Sequence, residues 1–133
     1  MTVQKWFGLA LVGAAAVACG AKQDAAPLLA ELRSHMTSPV DSMERSQENS
    51  RVVERVVEEA ALSGKSRAEV ASVIGKGDVC SRHPRCAELE FDSDDWYYEV
   101  GEQTSTNAPL PLLIVGFDHS GRVARVWNLR THE

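Results

Sequence analysis

At 133 residues, 44% hydrophobic and 25% charged, the chain has material for one small folded domain. Nineteen Asp and Glu against 14 Lys and Arg give a formal charge of −5 at pH 7. That balance, with no basic patch, no aromatic-interleaved basic strand and no zinc-finger spacing, argues against electrostatic nucleic-acid binding, and no nucleic-acid partner is expected.

The chain opens with one positive charge in Met1 to Lys5, followed by an uncharged apolar and small-residue run from Trp6 to Ala18. This is the layout of a secretory signal. The run is shorter than the about 20 residues a membrane span needs, and Lys22, Gln23 and Asp24 follow at once, so a removed signal fits better than a transmembrane anchor. Ala16-Val17-Ala18-Cys19 resembles the lipobox of bacterial lipoproteins, with Ala16 where Leu is usual. The resemblance implies cleavage before Cys19, lipid on its sulfur and an acyl chain on the new amino terminus. Gly20, in place of the Asp that retains lipoproteins in the inner membrane, implies the outer membrane of a Gram-negative cell. Each buried CH₂ contributes about 0.8 kcal/mol, so several chains make a durable anchor where one holds marginally. The alternative is an ordinary signal peptide with a chance cysteine. The expected organisation is a signal peptide over 1–18, the anchor cysteine and tether over 19–37, and a folded domain over 38–133.

Gly20 to Pro27 reads as a small-residue tether. Leu28, Leu29, Leu32 and Met36 then fall at spacings a helix gathers on one side, suited either to packing on the domain or to lying along a lipid surface. Ser38-Pro39 reads as an N-cap with proline at the first helical position, and Asp41 suits the first turn. The segment from there to Leu62 has no glycine and no further proline. Val52, Val53, Val56, Val57, Ala60 and Ala61 form its apolar stripe, and Arg51, Glu54, Arg55, Glu58 and Glu59 its solvated face.

Gly64-Lys65-Ser66 carries the last letters of a nucleotide-binding P-loop. Such a loop needs another glycine five residues earlier, after a strand, and Glu59 stands there inside the helical stripe. Gly64 reads instead as the residue past a helix end. Ser66-x-x-Glu69 is a capping box opening a second helix, which buries Val70, Val73 and Ile74 and stops at Gly75 to Gly77.

Cys80 and Cys86, in "CSRHPRC", read first as a disulfide of an oxidising compartment, closing a loop worth about 2.4 kcal/mol in the chain-entropy view. A metal site including His83, or free thiols, are the alternatives; four ligands of recognisable spacing are missing, so no metal and no cofactor is expected. Ala87, Leu89 and Phe91 alternate with Glu88, Glu90 and Asp92 as in a half-buried strand, and Asp92 to Asp95 makes a turn. Trp96, Tyr98 and Val100 then share one strand face, with Tyr97 and Glu99 on the other. After the loop "GEQTSTNAPLP" comes the apolar strand Leu112 to Phe117, a turn at Asp118 to Gly121, and a closing strand Val123 to Leu129. In the last strand Val123, Trp127 and Leu129 oppose Ala124 and Val126 in phase, so either both faces are covered or a bulge intervenes. Helices first and antiparallel strands after predict an α+β, two-layer domain, two N-terminal helices packed on a three- to four-stranded antiparallel meander.

The ordered set of Gly64, Val70, Ile74-Gly75, Trp96 with Tyr98, and Phe117, Asp118, Gly121 and Val123 resembles the BamE-like (SmpA/OmlA) family of small outer-membrane lipoproteins over about residues 50 to 130. Lys76-Gly77-Asp78 stands where that family has a proline, and the Cys80 to Cys86 loop and the long charged first helix are also departures. The resemblance implies a non-catalytic accessory role at the outer membrane, binding partner lipoproteins and phospholipid beside the β-barrel assembly machinery. The same scaffold serves inhibitors and other binding modules, so fold does not fix function.

An enzyme is not expected, and no catalytic residue is assigned. His35, His83, His119 and His132 are scattered, and neither a nucleophile elbow nor an H-E-x-x-H pair occurs. Asp118-His119-Ser120 holds triad letters explained by turn chemistry, and Asp92, Asp94 and Asp95 lack the glycine and distal glutamate of a calcium loop. Three readings follow: an accessory subunit of barrel assembly, a binding or inhibitory lipoprotein with another periplasmic target, and a structural protein of envelope integrity. The membrane, through Cys19, and an envelope protein are the expected partners. Tyr97, taken as an exposed aromatic, and the loop 102–110 are the expected contact candidates.

Overall fold

The computed structural model describes residues 24–104 and 108–129. The signal segment, Cys19 and the start of the tether lie outside these residues. The first helix, α1 (Ala26–Met36), carries Pro27 in its first turn and buries Leu28, Leu29 and Leu32. The leucines pack against the same core as Val53, Leu62 and Val70, so the apolar cluster docks on the domain. The folded unit therefore begins at α1, inside the stretch expected to be tether.

Ser38-Pro39 does not start a helix. Pro39–Val40 is a short extended strand, β1, paired in parallel with β4 (Glu102–Gln103). Val40 is fully buried, and its carbonyl accepts the Thr104 N–H. Burial of that side chain outweighs the local capping preference, and the cap passes to Ser42, whose hydroxyl accepts the Arg45 N–H at 3.2 Å. α2 runs from Met43 to Glu58 and buries Val52, Val53 and Val56. The chain leaves the helix before Gly64: Ala60, two residues past the end of α2, takes a left-handed φ of 52° and is exposed, whereas Ala61 and Leu62 turn back into the core. Gly64 has the expected positive φ of 73°, but its N–H is spent on the Val123 carbonyl of the last strand.

α3 (Arg67–Ile74) opens on the expected capping box: Ser66 Oγ accepts the Glu69 N–H at 3.2 Å, and the Glu69 carboxylate accepts the Ser66 N–H at 3.0 Å. The Ser66 bonds, backbone first, hold the Glu69 carboxyl below its ordinary range. The residues 64–66 are thus a joint between helices, as the missing first P-loop glycine implies.

The main sheet has the order β2-β3-β5-β6 and is antiparallel throughout: β2 (Asp78–Val79), β3 (Trp96–Glu99), β5 (Leu112–Phe117) and β6 (Val123–Leu129). Trp96, Tyr98, Leu113, Val115, Phe117 and Val123 meet the buried side chains of α1, α2 and α3 on one face. The domain is the two-layer α+β architecture expected, with an additional helix in its helical layer. The segment predicted as a strand, 87–91, is instead the end of a short helix, α4 (Pro84–Glu88), and a turn through Glu90, at φ 62°. His83 caps α4 by accepting the Arg85 N–H on Nδ1 at 3.2 Å, and Pro84 presets its first turn. These start signals, four residues upstream of the apparent alternation, decide the conformation.

The phase of β6 is resolved by a bulge. Gly116 pairs with Arg125 while its neighbour Phe117 pairs with Val123, leaving Ala124 as the extra residue. Val123 consequently faces the helices, and Arg125, Trp127 and Leu129 face the opposite side.

Close packing leaves no room at Gly77, where a Cβ would lie 2.8 Å from Trp96 Cβ and 2.9 Å from Tyr98 Cζ. Gly77→Ala is expected to cost about 1–3 kcal/mol by forcing the edge strand off the sheet, measurable as a lowered urea midpoint.

Candidate functional site

Of the sequence-predicted site residues, Cys19 lies outside the described residues, while Cys80, Cys86 and Tyr97 collect on the face of the sheet away from the three helices. Tyr97, Leu112, Ile114 and Leu129 supply its apolar floor, and Cys80, Cys86 and Phe91 cover part of it. Cys80 and Cys86 are bonded, with Cα atoms 5.6 Å apart, and are 3% and 1% exposed. The pairing consumes both thiolates, so the alternative metal site with His83 is closed.

The covering segment is fastened at several points. The Cys80 N–H donates to the Asp95 carbonyl at 2.8 Å, the Ser81 N–H to the Ser93 carbonyl at 2.9 Å, and the Phe91 N–H to the Cys86 carbonyl at 2.9 Å. Phe91 lies over Gly116, where a Cβ would come within 3.0 Å of its ring, which explains a glycine in the middle of an apolar strand. From β6, the Arg125 guanidinium sits 3.7 Å from the centre of the Phe91 ring and donates to the Leu89 carbonyl.

Asp95 is the buried polar anchor. Its carboxylate accepts the Phe117 N–H at 3.0 Å on one oxygen and the Asp92 N–H at 2.8 Å on the other, tying the turn to β5. Asp92, Asp94 and Asp95 offer oxygens within 4.8 Å of one another. Asp95 is occupied by backbone donors and Asp94 pairs with Arg67 at 3.4 Å, so structural bonds account for two of the three.

Among the described residues the histidines are not brought together, and His132 lies outside those residues. His35 Nδ1 lies 2.6 Å from Asn49 Oδ1 between α1 and α2, His83 stacks edgewise on Tyr97 at 4.9 Å, and His119 is exposed in the β5–β6 turn. In that turn Ser120 gives its hydroxyl to Asp118 at 2.6 Å, and the same carboxylate oxygen accepts the Ser120 and Arg122 N–H groups. The Ser120 hydroxyl, then the Arg122 N–H, hold the Asp118 carboxyl below its ordinary range. Asp118 and Ser120 are thus spent on closing the hairpin, and His119 is exposed beside them.

Tyr97 is not the exposed aromatic the strand pattern implied. It is only 9% exposed, because His83 and the bridged loop cover it, and burial together with Asp78 and Glu99 raises its phenol above the ordinary value. Among the described residues the exposed aromatic is Trp127, 43% exposed, on the same sheet face at the partner position of Ile114. Only the bulge at Ala124 places it there, and the broken alternation of β6 was its one trace in the sequence. The expected loop, 102–110, is described outside 105–107; within it Ala108 and Leu110 are buried with Val40, and Pro109 accepts the Ser46 hydroxyl at 2.5 Å.

Compared with family models, curated proteins and solved structures, the chain matches none.

Removing the bridge with Cys80→Ser and Cys86→Ser together is expected to lower stability by about 2 kcal/mol, read from urea unfolding. Tyr97→Ala, which empties a buried site, is expected to cost about 3 kcal/mol, whereas Trp127→Ala should stay within about 1 kcal/mol. The contrast separates a core aromatic from a surface one.

Proposed function

We propose that this chain is a lipid-anchored, non-catalytic binding protein, held by Cys19 at the periplasmic face of an outer membrane, where it acts as an accessory to β-barrel assembly or envelope integrity. The observation that carries the reading is the Cys80–Cys86 bridge. A buried disulfide suits an oxidising compartment, and the pairing leaves Cys19, at the end of the apolar leader, as the one remaining cysteine of the three. The resemblance to BamE-like lipoproteins supports the accessory role, and the exposed Trp127 supplies an aromatic of the kind that anchors interfaces.

A second reading, a binding or inhibitory lipoprotein with an unrelated periplasmic target, is favoured by the bridged loop, which covers a sheet face and departs from that family's pattern.

The anchor is tested by growing Gram-negative cells that express the full chain with an alkyne-tagged palmitate. Label on the wild type, lost in Cys19→Ser, with the wild type in the outer-membrane fraction, is the expected result; an unlabelled wild type overturns the reading. Mild crosslinking of the labelled protein, followed by mass spectrometry, then separates the roles. Enrichment of barrel-assembly subunits supports the first, and enrichment of another periplasmic protein supports the second.

A further inference from the structure

The four-stranded sheet ends on two unequal edges. β2 offers two residues, while β6 offers seven. The start of β6 is already closed, since the Gly64 N–H donates to the Val123 carbonyl at 3.1 Å and the Val123 N–H to the Lys65 carbonyl at 2.8 Å. α2 packs against β6, but past Val123 no backbone hydrogen bond reaches the strand's outer edge among the described residues. Native edges are ordinarily shielded by proline, lysine, an inward-pointing charge or a covering segment. Residues 124–129 contain no proline and no lysine, and Arg125, their one charge, is committed to the Phe91 ring and the Leu89 carbonyl. Trp127 stands exposed in the middle of the open stretch.

We infer that this edge pairs with the same edge of a second copy of the chain, β6 against β6, antiparallel about a two-fold axis at Trp127. A two-fold perpendicular to the sheet keeps each face on its own side, so only residues of one face come opposite each other. With the axis at Trp127, the two Trp127 rings meet, Val126 faces Asn128 of the other copy, and Arg125 faces Leu129. No like charges oppose. An axis at Val126 would set Leu129 against Val123, whose outward groups are taken by Gly64 and Lys65; an axis at Asn128 shortens the described ladder. Charge favours this edge for self-association too. Two copies with a formal charge of −5 each repel, and β6 is a strand with no acidic residue.

The ladder over 125–129 buries less than the about 800 Å² per partner of a standard interface, so the dimer dissociates on dilution.

The test uses the full chain, expressed with its own leader and extracted in mild detergent. Sedimentation over a concentration series is expected to pass from monomer to dimer, and Trp127→Glu to remain monomeric while keeping the wild-type urea midpoint. Under mild oxidation, Trp127→Cys is expected to form a disulfide-linked dimer, because its Cβ atoms meet at the axis. Ala124→Cys, displaced along the strand, should crosslink at least about tenfold less. The unsubstituted chain serves as the control for Cys19. A wild type that stays monomeric, or equal crosslinking of the two variants, overturns the inference. So does a monomer whose Trp127 is shielded from acrylamide quenching, since the edge is then occupied by the chain itself.

Discussion

Every residue of β5, from Leu112 to Phe117, is buried, and a strand with apolar side chains on both faces must be covered on both. The rest of the chain is arranged around that demand. One face receives Leu28, Leu29 and Leu32 of α1, Val53 and Val56 of α2, and Val70 and Ile74 of α3. The other face gets no long helix. It is closed by the segment from Cys80 to Asp95, too short to bury much surface alone and so held by covalent and charged fastenings: the bridge, the two backbone bonds to Asp95 and the Arg125 guanidinium. Apolar area secures the first cover, and point attachments secure the second.

The helical side has its own polar fastening. Asn49 is 2% exposed; its Nδ2 donates to the Val100 carbonyl at 2.9 Å and its Oδ1 meets His35. Gly101, at φ 121°, brings the backbone so close that a Cβ would lie 2.4 Å from Val40 Cγ2 and 2.8 Å from Asn49 Nδ2. One amide therefore joins α1, α2 and the end of β3 where β1 and β4 meet. Tyr98 does the same on the far side of the sheet face, donating its hydroxyl to the Gly75 carbonyl at 2.7 Å, with burial pushing its phenol well above the ordinary range. Satisfied buried bonds of this kind fix register more than they add stability.

The parts of the fold written in local chemistry were legible from sequence. The Ser66–Glu69 capping box, the Gly75 stop, the alternation of Trp96 and Tyr98 against Tyr97, and the turn at Asp118 to Gly121 each depend on residues within a few positions. The parts decided at long range were not. Val40 is drawn into a strand by a partner some sixty residues on, at Gln103, against a local cap. The period-2 pattern of 87–91 gave way to His83 and Pro84, whose signal lay just outside it. For the candidate site, the cysteine pair could be anticipated from spacing, but Tyr97 and Trp127 exchanged roles. A strand pattern gives two faces without saying which is covered, and here a loop with no strong signal of its own does the covering.

The bulge makes β6 a strand whose length matters more than its letters. Side chains alternate with period two, so removing Ala124 or adding one residue beside it would exchange the two sets beyond it, sending Arg125 and Trp127 toward the helices and Val126 and Asn128 outward. Substitutions at Ala124, an exposed position, leave that parity intact. Among descendants of this chain, drift in composition along β6 is therefore tolerable where a single-codon insertion or deletion is not: an odd change in length inverts the chemistry of a whole surface at once.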